Sequence, residues 1–400
     1  MRTAPAIYDA LVIGAGPAGA SAALMLARAG WSVAVVEKKA FPRRKVCGEF
    51  ISATSRPLLQ ELGLADRYDA LAGPDVRHVG LYAGETVLAA PMPQPSAALW
   101  GRALGREHFD LMLLEAAAQA GAALWQPWTV AELRRTERGH ACRIACKGGE
   151  RTLEARIVIA AHGSWERGPL PAQDFRSRAP SDLIAFKAHF SDSRLPADLM
   201  PLLIFPGGYG GMVHSDGGRA SLSCCVRRDV LTALRSRYAQ AGAGAAVVQH
   251  IKDSCAGVRD ALAGARSDGA ILSAGPIRPG IRARYADGMF FIGNIAGEAH
   301  PIVAEGISMA MQSAWLLCRR LIAQPDAAGS AHALARIGRA YAADWDAGFA
   351  LRLRAAALFA NVATRPGAAA LALPLLRRFP ELLTFGAQLS GKARDLVAAA

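Results

Sequence analysis

YDALVIGAGPAGASAALMLARAGWSVAVVE, residues 8–37, is the stretch that decides the fold of this 400-residue chain. Within it, the apolar run 10–13 has the length of a buried parallel strand, and residues 18–29 follow with helical periodicity. A second apolar run, 33–36, ends at Glu37. Strand, helix and strand in this order predict a βαβ unit.

Three glycines of this stretch, Gly14, Gly16 and Gly19, have the spacing G-x-G-x-x-G. Gly14 permits a tight turn out of the strand, Gly16 lets the backbone approach a pyrophosphate, and Gly19 lets the helix lie close to the sheet. Glu37 stands where a carboxylate accepts hydrogen bonds from an adenosine ribose. The pattern predicts a dinucleotide site, and the acid favours a ribose with a free 2′-hydroxyl, as in FAD or NAD, over NADP.

The composition is that of a large globular protein. Hydrophobic residues make up 52% of the chain, and its length predicts two or three domains. No apolar window approaches the ~20 residues of a membrane span, and cleavage of a signal peptide would remove the first strand. We therefore expect a cytoplasmic protein.

The formal net charge is +13 and comes mostly from arginine. The arginine pairs are dispersed and lack aromatic interleaving, so we expect no nucleic-acid partner. An acidic substrate or an anionic membrane surface remains open as a partner.

The chain has seven cysteines and no C-x-x-C spacing. This predicts reduced thiols in a reducing compartment and no metal site. Cys47 is of separate interest because it follows three basic residues in the segment FPRRKVCGEFIS, residues 41–52. Such a segment could shape one edge of the dinucleotide site, although a basic surface loop with a buried thiol is the simpler interpretation.

The middle of the chain reads as a mixture of strands and helices. The pattern predicts a hairpin at 76–90, a helix at 107–120, an antiparallel meander at 123–155 and a separate buried parallel strand at 157–161. From about 181 to 285, strands separated by glycine turns indicate an inserted substrate domain.

A second glycine-rich segment is GNIAGEAHPIVAEGISMAMQSAWLL, residues 293–317. Gly306 is predicted to begin a helix whose apolar positions, spaced at three and four residues, face inward. Free N–H groups at that helix start can stabilise negative charge on the N1–C2=O edge of a flavin.

The last part of the chain, from about residue 326, is predicted to be helical. It is rich in alanine, leucine and arginine, and Pro366, Pro374 and Pro380 divide it. An amphipathic cap packed on the dinucleotide-binding domain is favoured over an element that contacts a membrane.

With these segments placed, the chain resembles the flavoprotein monooxygenase superfamily of the p-hydroxybenzoate hydroxylase fold. Within it the closest resemblance is to the branch of geranylgeranyl reductase-like and LodB-like FAD-dependent oxidoreductases. The resemblance covers nearly the whole chain and rests on four segments: the first βαβ unit, KVCGE at 45–49, GREHFD at 105–110, and residues 293–311.

The resemblance implies a set of FAD contacts. It places the pyrophosphate on the first turn, Arg106 against FAD, adenine on the backbone of Val130, the ribityl chain near Gly293 and Asn294, and the flavin ring near the start of the helix at 306. The predicted cofactor residues are Gly14, Ala15, Gly16, Pro17, Ala18, Gly19, Glu37, Lys38, Lys45, Cys47, Gly48, Arg106, Val130, Gly163, Gly293, Asn294, Gly306 and Ile307.

Two positions depart from the family pattern. The chain has His162-Gly163 where members of the family commonly have Asp-Gly, and Asn294 where they have aspartate. The first of these motifs is linked in the family to binding of both FAD and NAD(P)H, and we expect NAD(P)H as the electron donor either directly or through a reductase. FPGGYGG, residues 205–211, resembles the motif that flanks the substrate cavity in reductase-like members.

The predicted fold class is accordingly α/β (α+β). It consists of a Rossmann-type FAD-binding domain in three parts, an inserted β-sheet substrate domain in two parts, and a C-terminal helical region. The predicted limits are 1–75, 101–178 and 286–325 for the first, 76–100 and 179–285 for the second, and 326–400 for the third.

The leading functional hypothesis is an FAD-dependent monooxygenase of secondary metabolism. In it a flavin C4a-hydroperoxide transfers one oxygen atom from O₂ to an electron-rich, aromatic or polyketide-like small molecule. No acid–base pair can be read in the substrate domain. Cys47 and His214 are weak catalytic candidates, and His189 is a second histidine of the same kind.

Three alternatives stay open. The first is an ene-reductase of the geranylgeranyl reductase type, acting on a prenyl lipid with Cys47 assisting proton delivery. The second is a LodB-like flavoprotein that modifies a protein partner. The third is a flavin-dependent halogenase, which is disfavoured because Trp125 and Trp128 do not form the W-x-W-x-I-P motif of the tryptophan-type enzymes.

Overall fold

The computed structural model describes residues 6–94, 99–164 and 178–392. Its strands in chain order are β1 Tyr8–Ile13, β2 Val33–Val36, β3 Phe50–Ile51, β4 His78–Ala83, β5 Thr86–Pro91, β6 Arg102–Ala103, β7 Ala123–Trp125, β8 Thr129–Thr136, β9 Gly139–Cys146, β10 Gly149–Ala160, β11 Leu183–Ser191, β12 Leu199–Phe205, β13 Gly208–His214, β14 Ala220–Arg227, β15 Arg266–Ser267, β16 Leu272–Ile277, β17 Gly280–Ile281, β18 Tyr285–Ala286, β19 Met289–Phe291 and β20 Gly297–Glu298.

The α-helices follow the same numbering rule. They are α1 Pro17–Arg28, α2 Arg56–Glu61, α3 Ala65–Leu71, α4 Arg106–Gln119, α5 Arg228–Arg237, α6 Ala243–Ser254, α7 Ala256–Ala261, α8 Gly306–Ile322, α9 Ala331–Thr364, α10 Pro366–Arg378 and α11 Glu381–Ala387. None of these described helices is both long and apolar enough to cross a bilayer.

The first sheet has the order β18-β19-β10-β1-β2-β7, with β9 and β8 joined to β10. Its central strands run parallel, and β1 pairs with both β10 and β2. These strands are apolar on both faces because helices cover the sheet. Helix α1 is buried along residues 17–27, since it packs between the sheet and helices α4 and α8. The predicted α/β class is confirmed.

Strand β10 differs from its prediction. The pattern predicted a meander strand ending at residue 155 and a separate buried strand at 157–161, whereas one strand of 12 residues spans both. Its first half pairs antiparallel with β9 at the sheet edge, and its second half pairs parallel with β1 and β19 in the core. The change from alternating to continuous apolar residues therefore marks entry into the covered part of the sheet.

The second sheet has the order β15-β11-β14-β13-β12-β4-β5, with β16 added to β11. It is antiparallel except where β12 pairs with β4, which brings the predicted hairpin of residues 76–90 into the sheet of the inserted segment. The two sheets thus draw on the segments assigned to the two domains, and the exact domain limits remain a prediction.

The C-terminal helices were expected to pack on the dinucleotide-binding domain, and the structure differs from this expectation. Helix α9 packs on α8 but also reaches β12 and β13, and α11 packs on β4 and β5 of the second sheet. The cap therefore covers both sheets and not the first alone. Pro374 lies inside α10 and does not divide it, whereas Pro366 begins α10 and Pro380 precedes α11. A proline removes one backbone donor, which a helix held by neighbours tolerates.

The turn between β1 and α1 is packed closely against the start of α1. Gly14 has φ = +100°, and a Cβ on Gly19 would lie 1.8 Å from the Gly14 carbonyl oxygen. Both positions therefore exclude a side chain, and the sequence spacing G-x-G-x-x-G follows from this geometry.

We predict that Gly19→Ala lowers the free energy of unfolding, because the added methyl group meets backbone that cannot move aside. Overpacking of this kind costs about 1–3 kcal/mol or more. Gly386→Ala is the matched control, since a Cβ there meets no atom within 4 Å and alanine is the better helix former. Urea unfolding curves measure both, and equal stability of Gly19→Ala and the wild type would contradict the assigned contact.

Candidate functional site

A cavity of about 960 Å³ lies between the carboxyl edge of the first sheet and the second sheet. The turn after β1, the end of β2 and the start of α8 line one part of it. Strands β4, β12 and β13 and the C-terminal helices line another. Its size is that of a site for a cofactor together with a small molecule.

The cavity brings together almost all of the predicted cofactor residues. Ala15, in the β1–α1 turn, and Gly19, in the first turn of α1, do not line the cavity. The others line it: Gly14, Gly16, Pro17, Ala18, Glu37, Lys38, Lys45, Cys47, Gly48, Arg106, Val130, Gly163, Gly293, Asn294, Gly306 and Ile307. Their assignment as FAD contacts stays a prediction.

Two helix N-termini face this cavity. Among the described side chains none caps α1 or α8, whose first turns place Pro17 and Ala18 in one part of the lining and Gly306 and Ile307 in another. Uncapped N–H groups bind anions, and the positive end of the helix dipole adds to the attraction. This donor set fits FAD, whose pyrophosphate is predicted to lie at α1 and whose flavin ring is predicted to lie at α8.

Glu37 closes β2 and fixes the turn beside it. Its carboxylate is buried and accepts hydrogen bonds from the N–H groups of Ala15 and Lys39, each at 2.9 Å. Arg43 lies 3.8 Å from the same carboxylate. The acid predicted from the sequence to meet a ribose therefore also stabilises the glycine turn.

Arg106 is buried at the start of α4. It forms a bidentate pair with Asp110, with N···O distances of 2.6 and 2.7 Å, and it also contacts the Cys47 side chain. Burial opposes its charge, but Asp110 and Cys47 raise its pKa above the ordinary value, so the guanidinium stays charged. Cys47 therefore lies beside a fixed positive charge at the cavity wall.

Glu49 is a fully buried carboxylate that the sequence did not single out, although it belongs to the KVCGE segment. Lys187 and His189 of β11 both bind it, the latter at 2.8 Å from Nε2. Burial opposes its charge, but the bond from His189 and the charge of Lys187 lower its pKa far below the ordinary value. The network joins the loop of Cys47 to the second sheet.

Glu298 explains one departure from the family pattern. Its carboxylate accepts from Asn294 Nδ2 at 3.2 Å and from Ser164 Oγ at 2.7 Å, with Arg282 at 3.7 Å. Burial raises its pKa. An aspartate at position 294 would place a second carboxylate against this one, whereas the asparagine amide donates to it.

Tyr209 and His300 form a pair at the cavity wall that sequence reasoning missed. Tyr209 OH lies 3.2 Å from His300 Nδ1 and also bonds with the thiol of Cys225. Burial lowers the pKa of His300 to about 4 and raises the pKa of Tyr209 well above its usual value. At neutral pH the histidine is uncharged and the tyrosine is protonated. The signal available was the position of His300 in the loop that leads into α8.

The weak catalytic candidates are placed differently. Cys47 lines the cavity. His189 belongs to the Glu49 network, and His214 Nε2 bonds with the Leu195 carbonyl at 2.8 Å, so within the described residues it has a structural contact and is not part of the cavity lining. The position of Cys47 keeps it as a candidate, and that of His214 gives it no access to a ligand there.

The C-terminal region contributes to the cavity wall, which the sequence did not indicate. Leu358 and Phe359 of α9, Leu375 of α10 and Leu382 of α11 line it. Lys392 Nζ bonds with the Val303 carbonyl at 2.7 Å and with Glu305 at 2.9 Å, next to the start of α8. Across residues 6–94, 99–164 and 178–392, no group of three or more acidic, histidine or cysteine side chains is arranged to hold a metal ion.

A family model described as an FAD binding domain matches residues 7–337. The chain therefore belongs to this family of FAD-binding oxidoreductases, which confirms the expected superfamily and its FAD. Digeranylgeranylglycerophospholipid reductase 1 of Methanopyrus kandleri is 26% identical over 335 residues, 78% of this chain and 79% of that protein.

Two further comparisons are a sequence match over part of the chain and a match to a solved structure. Menaquinone reductase of Mycolicibacterium smegmatis is 32% identical over 154 residues, 38% of this chain, and the match spans only 37% of that reductase. PqsL of P. aeruginosa, solved in complex with 2-aminobenzoylacetate, has the same fold with a TM-score of 0.70 at 18% identity. That alignment covers 90% of this chain and 98% of PqsL.

We predict that Glu49→Gln destabilises the fold at neutral pH, because Lys187 and His189 would share a buried site with no carboxylate. Breaking a buried ion pair costs about 3–5 kcal/mol. The depressed pKa means that Glu49 contributes stability above the unfolded value of about 4.3, and that this contribution is lost as the pH falls further. The deficit of the variant should therefore shrink in acid.

Unfolding free energies from pH 3 to pH 8 measure this effect. Glu132→Gln is the control, since Glu132 makes an exposed pair with Arg143 and its loss should cost little. A deficit of Glu49→Gln that is constant with pH would show that the pKa of Glu49 is the same in the folded and the unfolded protein.

Proposed function

We propose that this protein is an FAD-dependent monooxygenase that transfers one oxygen atom of O₂ to an electron-rich aromatic small molecule. The observation that carries the proposal is the Tyr209–His300 pair at the wall of a cavity that also contains the predicted flavin residues. Bound FAD, once reduced, supplies the activation of O₂, and the protein supplies position, dryness and proton handling.

The pair suits a phenol better than an alkene. We infer that His300 Nδ1–H donates to Tyr209 and that Tyr209 O–H donates to Cys225, which leaves His300 Nε2 as an acceptor at the cavity. A neutral acceptor can accept a hydrogen bond from the hydroxyl of a phenol, and it can take that proton as the ring donates electrons to the transferred oxygen. Reduction of an alkene requires a proton to be given, and a histidine with a pKa of about 4 carries none to give at neutral pH.

The cavity walls support the exclusion of water from the reaction. They are apolar where β4, β12 and β13 meet the C-terminal helices. The uncapped N-terminus of α8 and the nearby Lys392 would stabilise negative charge on a reduced flavin. The 2-aminobenzoylacetate bound to PqsL, which has the same fold, is an aromatic compound and agrees with this substrate class. NAD(P)H is the proposed electron donor.

A second candidate is an ene-reductase acting on a prenyl lipid. The observations that favour it are the similarity to digeranylgeranylglycerophospholipid reductase and the apolar wall built by the C-terminal helices. In this reaction the Cys47 thiol, which lies at the cavity wall beside Arg106, would be the proton donor.

The decisive experiment incubates the FAD-loaded protein with NADH or NADPH, ¹⁸O₂ and either a long-chain alkylphenol or a geranylgeranyl lipid. We expect mass spectrometry to detect one labelled oxygen in the alkylphenol product, formed without added halide. An unlabelled lipid that has gained two hydrogens under anaerobic conditions would establish the reductase instead. A product that forms only with bromide or chloride would establish a halogenase.

We predict that His300→Gln lowers kcat for the alkylphenol by about 10²–10⁴-fold, the usual contribution of a positioned base. The base acts when it is deprotonated, so the wild-type rate should rise through pH 4 and stay level above it, and the variant should lose this limb. FAD binding, read from its absorbance, should be unchanged.

His332→Gln is the control for this prediction because His332 is an exposed residue of α9. Tyr209→Phe should give an intermediate rate, since it breaks the hydrogen bond that orients the imidazole. Wild-type kcat and an unchanged pH profile in His300→Gln would exclude the proposed role.

A further inference from the structure

Exposed large apolar side chains are concentrated in the C-terminal helices. Eleven such side chains occur among the described residues, and seven of them lie between residues 351 and 389. Solitary exposed leucines need no explanation, but a cluster on one region marks an interaction surface. We name this cluster the portal surface, which consists of Leu351, Leu358, Leu375, Phe379, Leu382, Phe385 and Leu389.

The portal surface is continuous with the cavity. Leu358, Leu375 and Leu382 line the cavity, and their exposed fractions are 62%, 54% and 38%. They come from α9, α10 and α11, and α10 contacts both of the other helices. We infer that the cavity opens to the exterior between these three helices, each of which exposes large apolar side chains.

The charge around this opening is positive. Residues 351–392 contain six basic residues and one acidic residue, Glu381. Arg354, Arg365, Arg377 and Arg378 are exposed. Arg377 is tied to Thr86 of β5, and Arg378 lies over the ring of Phe379 at 5.4 Å, so the basic groups border the apolar ones. Amphipathic helices with this combination lie in the surface plane of anionic bilayers.

We propose that the portal surface docks on an anionic lipid bilayer and that the substrate enters the cavity from the bilayer between α9, α10 and α11. This rests on the proposed function and extends it by naming the substrate class as a membrane-resident lipid with an apolar tail. The tail would lie against the leucines of the three helices, and the reacting head group would reach Tyr209 and His300.

A bilayer fits this surface better than a protein partner. The seven side chains of the portal surface are all large and apolar, and the exposed charged residues of the same segment are four arginines and one glutamate, Glu381. Protein interfaces carry roughly one hydrogen bond per 100–200 Å² and pair opposite charges at defined positions. A lipid surface requires only insertion of apolar groups and diffuse negative charge.

The test measures co-sedimentation of the FAD-loaded protein with vesicles. One set contains equal parts of phosphatidylglycerol and phosphatidylcholine, and the other contains phosphatidylcholine alone. We expect binding to the anionic vesicles that weakens as salt is added, and about tenfold or more weaker binding to the neutral ones. Wild-type protein that binds neither vesicle would overturn the proposal.

Two pairs of variants identify the surface. Phe379→Ser/Phe385→Ser/Leu389→Ser, which spares the described cavity lining, should reduce anionic binding about tenfold or more, whereas Leu71→Ser/Leu124→Ser removes exposed leucines elsewhere and should not. Arg354→Gln/Arg378→Gln should weaken binding more than Arg134→Gln/Arg138→Gln, which removes the same charge from the region of β8. If the two variants of either pair bound anionic vesicles equally, the assignment of the portal surface as the membrane-binding face would be refuted. It would also be refuted if the protein bound an acidic carrier protein and did not bind vesicles.

Vesicle binding needs no turnover, so it fails or succeeds independently of the oxygenation experiment. If the protein binds vesicles but gives no labelled product, the portal surface is supported and the proposed reaction is not. The opposite result has two parts. The protein would give a labelled product from a short water-soluble alkylphenol, and the Phe379→Ser/Phe385→Ser/Leu389→Ser variant would turn over a long-chain alkylphenol in vesicles at the wild-type rate. Together these outcomes would support the proposed reaction and exclude entry of the substrate through the portal surface.

Discussion

The buried carboxylate of Glu49 is the constraint on which the geometry of the site depends. It comes from the loop that follows the first βαβ unit, yet the two groups that hold it, Lys187 and His189, come from the second sheet. Charges without water must be paired, so this contact has few alternatives. The backbone N–H of Arg106 also donates to the Glu49 carboxylate, at 3.4 Å, so the start of α4 is held in the same network.

The fold could be predicted from local sequence patterns where the residues that contact each other lie in the same short segment. The G-x-G-x-x-G turn is one example, because Gly14 and Gly19 meet within the same short segment. Strand β10 could not be predicted as one strand, because its apolar and polar residues alternate at the sheet edge and give way to a continuous apolar run in the core. That change is caused by the helices that cover it, and they come from distant parts of the chain.

The same distinction separates the predicted half of the site from the missed half. The cofactor residues predicted within the two glycine-rich segments could be located because each segment carries its own motif, and all of them but Ala15 and Gly19 line the cavity. Tyr209 and His300 are 91 residues apart and meet only when the second sheet docks on the loop before α8. Glu298 was also missed, although it accounts for Asn294, because a carboxylate four residues away is informative only once both side chains point the same way.

Lys392 gives the end of the described chain an unexpected place in the protein. Its ammonium group reaches the Val303 carbonyl and Glu305, and so adds a positive charge beside the first turn of α8. Ribosomal synthesis delivers this residue after both sheets have been made. The ammonium partner of Glu305 is therefore added last, and a nascent chain that stops short of residue 392 would leave the loop before α8 without this contact.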